Sequence, residues 1–183
     1  MKRTSGFTLI ELIVTLAIAA ILLAIAIPAL GSLIRDASMT TTVNDFVTSI
    51  NLARSEAVKR GRRVTMCESR PPYTECTKTK DWSQGWLIFE DTSNVGTRQD
   101  DEAIIHIHPG IATRITISGK PNIAHYISYS GKGIAQLPNR VYHAGSIEFC
   151  DGHDNAKSKT IKINFLGRPR TLDGAAGCPR KSS

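Results

Sequence analysis

Gly6-Phe7-Thr8-Leu9-Ile10-Glu11-Leu12 runs without a break into the apolar stretch 13–30, and across residues 7–30 the only charged side chain is Glu11. At about 1.5 Å rise per residue, those 24 residues make a helix long enough to cross the hydrocarbon core of a bilayer. Residues 1–5 carry Lys2 and Arg3 and no acid, so this end is expected on the cytoplasmic side and the body of the chain outside. A secretory signal places its small residue after the apolar run. Here Gly6 stands before it, which predicts that a leader of residues 1–6 is removed and the apolar helix kept. A carboxylate at the centre of a membrane helix costs about 2.5–3.5 kcal/mol, so Glu11 needs a partner. Cleavage after Gly6 puts a new amino group on Phe7, one helical turn from Glu11, and a cation there in the same or a neighbouring subunit neutralises it.

The stretch from Gly6 to Leu12 resembles the processing signature of type IV pilin-like proteins. The resemblance implies cutting by a prepilin peptidase between Gly6 and Phe7, N-methylation of Phe7, and a role for Glu11 in docking subunits into a filament. It also implies major and minor pilins as partners. The expected location is the inner membrane of a Gram-negative bacterium, single-pass with a periplasmic globular part, and then the extracellular pilus.

Outside the membrane half of the helix about 150 residues remain, enough for one domain with its own core. Formal charge is +7, and removal of Lys2 and Arg3 leaves +5, a balance that permits polyanion binding without requiring it. Cys67, Cys76, Cys150 and Cys178 fall in the part expected outside the cytoplasm, where disulfides persist. Three pairings are possible, of which 67 with 76 and 150 with 178 need the least chain closure. No close Cys-x-x-Cys pair suggests zinc.

Pro28 and Gly31 fall where the helix should leave the bilayer, and a bend is expected there. Met39, Val43, Phe46, Ile50, Ala53 and Ala57 then recur at steps of four and three, an apolar stripe that predicts a helix packed on the chain's own sheet. Gly61 terminates it, with Lys59 and Arg60 favouring the C-terminal dipole. Short alternating runs separated by Gly, Pro, Asn and Asp follow, predicting strands near 62–68, 85–90, 103–108, 111–118, 125–129, 146–150 and 160–165. Within them, Trp82-Ser83-Gln84-Gly85-Trp86-Leu87-Ile88-Phe89 resembles a sequence typical of the GspH/FimT group of minor pilins and pseudopilins, and Trp82 and Trp86 read as core or edge aromatics.

The expected fold is α+β: a leader (1–6), a transmembrane and assembly helix (7–30), its amphipathic second half (31–61), and an antiparallel β-sheet domain with a basic tail (62–183). The acids of residues 90–102 match no calcium loop and read as a solvated hairpin loop. His106 and His108 share a strand face but lack a third ligand. No nucleophile with its base and no phosphate-cradling glycine loop is evident, so neither an enzyme nor a cofactor is expected.

Residues 155–183 hold seven bases (Lys157, Lys159, Lys162, Arg168, Arg170, Arg180, Lys181) and one acid, Asp173. This tract supplies the whole positive excess. Gly167-Arg168-Pro169-Arg170 is expected to leave the preceding strand, with Pro169 holding the two guanidinium groups on one side, suited to bidentate phosphate contact. A Cys150–Cys178 bridge would make this tail a loop tied at both ends. Gly167-Arg168-x-Arg170 resembles the Gly-Arg-x-Arg motif of FimT minor pilins that bind DNA during natural transformation. That likeness implies DNA as a partner, gripped by Arg168 and Arg170, with Gly167 allowing the turn and Lys162, Arg180 and Lys181 adding diffuse attraction.

Overall fold

Helix α1 (Leu9–Arg60) is assigned without interruption over 52 residues, including the stretch around Pro28 and Gly31. The computed structural model describes residues 8–93, 96–111, 114–137, 139, 141–152, 158–174 and 178. Gly6, Phe7, Arg180 and Lys181 therefore lie outside the described residues. The chain divides into two units, Met1–Ser38 and Met39–Ser183.

In the first unit, every described side chain from Leu9 to Leu30 is exposed. A helix that is apolar all round and buries none of it in its own chain is suited to a bilayer or to a bundle of like helices, and α1 is long and apolar enough to cross a membrane. Its start is locally encoded. Thr8 precedes the first helical residue, and the Glu11 backbone N–H donates to Thr8 Oγ1 at 3.4 Å. Thr8 is thus placed as the N-cap of α1, its hydroxyl taking one of the backbone donors left free at a helix start.

In the second unit the helical stripe becomes the spine of the core. Met39, Val43, Phe46, Ile50, Ala53 and Ala57 are all buried. They meet two four-stranded antiparallel sheets rather than one. Sheet A has the order β3-β2-β1-β5, from β1 (Val64–Glu68), β2 (Gly85–Glu90), β3 (Ile104–Pro109) and β5 (Tyr126–Tyr129). Sheet B has the order β4-β6-β7-β8, from β4 (Ile115–Gly119), β6 (Gly145–Asp151), β7 (Ser158–Ile163) and β8 (Pro169–Asp173). Phe46 packs edge-on against Trp82 and Trp86, and against Phe149 of β6, with ring centroids 5.3, 4.9 and 5.5 Å away. His108 stacks on Trp86 at 3.9 Å, a packing role rather than a ligand's.

The outer face of sheet A is covered by irregular chain pinned to buried carboxylates. The Cys67–Cys76 disulfide ties one loop down, while the fully buried Glu68 accepts hydrogen bonds from the Thr79 hydroxyl and the Lys80 and Asp81 backbones and contacts His125. The acidic run is not the solvated loop expected. Asp91 and Glu102 are buried, and Glu102 accepts from the backbones of Thr92, Ser93 and Gln99. Burial pushes the Glu102 carboxyl up, but these hydrogen bonds outweigh it and hold the group below its ordinary value. Carboxylates replace a strand ladder in organising this loop.

Buried His143 is held as the neutral tautomer: Nε2–H donates to the Asn122 carbonyl and Nδ1 accepts from the Ser128 backbone. Burial lowers its pKa from the usual 6.5, partly opposed by the Asn122 bond and reinforced by Arg63. A folded value below the unfolded one means this contribution is complete above pH 6.5 and shrinks as pH falls toward the folded value. Relative to His143→Gln, the parent protein should lose stability between about pH 7 and 5, read as the difference in thermal midpoints. Parallel midpoint curves for the two proteins would refute this.

Candidate nucleic-acid interface

Alternating Ile161 and Ile163 anchor β7 in the core and leave Lys162 on the opposite, exposed face. The chain then reverses. Gly167 N–H donates to the Asn164 carbonyl at 2.8 Å, closing a turn over residues 164–167, and the Asn164 side-chain oxygen accepts from the Leu166 and Arg168 backbones at 3.1 and 2.9 Å. Asn first and Gly last is the residue choice such a turn demands. Gly167 has φ +75°, and its carbonyl accepts from the buried Tyr129 hydroxyl at 3.0 Å. The turn is therefore fixed both from within and from beneath.

Gly167-Arg168-Pro169-Arg170 do leave β7 as expected, but Pro169 and Arg170 at once open a further strand, β8, which was not among those expected. Its first residue, Pro169, pairs with Ile163, and Arg170 stands directly opposite Lys162. Pro169 is tolerated because it opens an edge strand, where no further partner requires its missing N–H. The arginines accordingly sit on an ordered hairpin, within the stretch that the Cys150–Cys178 bridge ties at both ends as expected. The missed signal was Asn164 and Gly167 spaced three apart after a clear strand.

Lys162, Arg168 and Arg170 line one concavity of about 450 Å³ together with Gly145, Ser146, Ile163 and Asn164. All three cations are exposed, and none forms an ion pair with another described residue. No carboxylate is among the lining residues. Lys162 and Arg170, like charges directly opposite across antiparallel strands, repel one another and weaken the hairpin by a few tenths of a kcal/mol. An anion seated between them would relieve that repulsion and add guanidinium hydrogen bonds. Ser146 and Asn164, not singled out by charge pattern, supply polar groups at the same place. At the end of sheet B opposite the turn, the Cys150–Cys178 disulfide closes a separation of 28 residues, worth about 3–4 kcal/mol by loop-closure arithmetic.

A long N-terminal helix, apolar over its first half and packed through its second half on antiparallel sheets, is the pattern of the type IV minor pilin fold. Residues 42–167 match the GspH family, described as type II transport protein GspH, and the chain belongs to that family. Residues 1–27 match the prokaryotic N-terminal methylation motif. Among solved structures the fold is similar to the type IV minor pilin FimU of Pseudomonas aeruginosa in two crystal forms. The P21 form has a TM-score of 0.56 at 17% identity and covers 81% of this chain and 96% of FimU. The P65 form has a TM-score of 0.53 at 17% identity, with coverage of 79% and 98%. No curated protein matches the chain. Membership implies processing by a prepilin peptidase and contact with other pilins; proteins of this family and fold are structural subunits, not enzymes.

Proposed function

We propose that this chain is a minor type IV pilin whose β7–β8 hairpin captures extracellular DNA for uptake in natural transformation, the role that its likeness to FimT proteins implies. It would be held in the inner membrane with its sheets in the periplasm before assembly, and would be displayed on the pilus afterwards. The observation that carries the reading is the convergence of Lys162, Arg168 and Arg170 on one acid-free concavity. Arg168 and Arg170 grip phosphates, Gly167 and Asn164 hold them in place, and Lys162, Arg180 and Lys181 add attraction. Phosphate contacts position a ligand without reading its bases, so binding is independent of sequence.

With three to five phosphates engaged, log affinity should fall with log salt at a slope of about −0.9 per contact. Fluorescence anisotropy of labelled DNA with the full chain in detergent micelles measures it. The Arg168→Ala/Arg170→Ala double variant should bind at least about tenfold more weakly and lose about 1.8 from the slope. Equal affinity and slope in parent and variant would remove the hairpin from the reading. A second reading, a pseudopilin of type II secretion or a pilus-tip assembly subunit, is favoured by the family description itself. It predicts no DNA affinity, with binding to other subunits instead.

A further inference from the structure

Among the described residues of the second unit, six large apolar side chains are exposed: Val58, Ile107, Val141, Tyr142, Phe165 and Leu166. Four of the six belong to the hairpin turn and the strip beside it. Phe165 and Leu166 are the central residues of the turn that Asn164 and Gly167 build, and Tyr142 lies three positions before the Gly145 that lines the cationic concavity. The Phe165 and Tyr142 rings meet edge to face at 5.7 Å while remaining 55% and 57% exposed. The central positions of such a turn accept most residues, so the backbone does not demand an aromatic there. An edge-to-face pair blocks at most one ring face, which leaves π-surface open to a ligand.

A cationic concavity lined by Asn164, with the open aromatic Phe165 next in the chain and Tyr142 packed on it, is the combination that holds unpaired nucleotides, because each base offers a flat face to stack and each phosphate a charge to pair. Duplex DNA can use only the charges, its bases being stacked on one another. We propose that the hairpin takes single-stranded nucleic acid, or the frayed end of a duplex, with phosphate held by Lys162, Arg168 and Arg170 and an unstacked base laid on Phe165 or Tyr142. This rests on the DNA-binding reading above and adds to it the strand state of the ligand. Charge alone argues the other way, since a duplex carries the denser phosphates. A preference for single strands would therefore report stacking.

The test is anisotropy with the full chain in detergent micelles, using one mixed-sequence oligonucleotide either alone or annealed to its complement, at matched salt. The single strand should bind more tightly. Phe165→Ala and Tyr142→Ala should each weaken it at least about fivefold while leaving duplex affinity within about twofold and the salt slope unchanged. Phe165→Trp should retain or tighten single-strand binding. Both rings are largely exposed, so an unchanged thermal midpoint separates lost stacking from lost folding. Duplex preference with no response to the aromatic variants overturns stacking and leaves the cationic reading standing. Binding to neither form removes both. If the aromatic variants instead lose association with other copies of the chain at unchanged oligonucleotide affinity, the patch is a subunit contact and the proposal is wrong.

Discussion

Phe46→Ala should lower the unfolding free energy of the second unit by about 3–5 kcal/mol, a large part of what a domain of this size possesses. Phe46 is fully buried, and its three aromatic neighbours come from both sides of the core: Trp82 and Trp86 at sheet A and Phe149 from sheet B. Truncation removes the ring's transfer free energy and leaves a void bounded by large, interlocked side chains that cannot collapse into it. Three edge-on contacts add to the loss, each pair being worth about 0.5–1.5 kcal/mol beyond its area. Trp82 and Trp86 make tryptophan fluorescence a direct reporter, and urea titration gives the free energy. A loss under about 1 kcal/mol would mean that the two sheets hold together without this bridge. Phe46→Leu, which keeps most of the volume, should lose much less.

Gly167→Ala should cost about 2–5 kcal/mol and, on the proposed reading, abolish phosphate binding as well. A Cβ at this position would lie 2.5 Å from Tyr129 Cε1 and 3.0 Å from the Ala135 backbone nitrogen. Tyr129 is fully buried and its hydroxyl is already committed to the Gly167 carbonyl, so it has no free direction of retreat. Left-handed backbone costs a residue with a side chain about 1–2 kcal/mol, and overfilling a packed site costs a further 1–3 kcal/mol. Relief requires the turn to lift, which carries Arg168 away from Lys162 and Arg170. Thermal unfolding and DNA anisotropy on one preparation check both effects. A variant as stable and as tightly binding as the parent would show that the turn does not set the position of the arginines.

The apolar stripe from Met39 to Ala57 was legible because a helix repeats its buried face at a fixed step, and all six positions are buried as that spacing requires. Most strands were legible for the corresponding reason: Gly85–Glu90 matches its expected range, and others shift by a residue or two at their ends. The strand expected over 111–118 proved to be Ile115–Gly119, and residues 112–113 lie outside the described part. Strand β8 was hidden because Pro-Arg-Thr-Leu-Asp has only one strongly apolar residue; its pairing is decided by the turn before it, not by its own composition. The division into two sheets was also hidden, since alternation marks a buried face without saying which layer shares it. Asp91 and Glu102 misled for a different reason. Charge density along a sequence reads as exposure, whereas here the backbone folds around the carboxylates and donates to them. Within the candidate site, charge pattern found the cations and missed Ser146, Asn164 and the aromatic pair.

The position of β8 has a mechanical consequence. As the border strand of sheet B it is held on one side only, by its ladder to β7. If the hairpin holds DNA as proposed, tension on Arg168 and Arg170 would load this ladder from the turn and would open it one bond at a time. The Cys150–Cys178 crosslink lies beyond the far end of β8 and welds the chain that follows it to β6 in the sheet interior. A tear that has run the length of the strand then meets a covalent stop, so the hairpin can be strained without being stripped from the subunit.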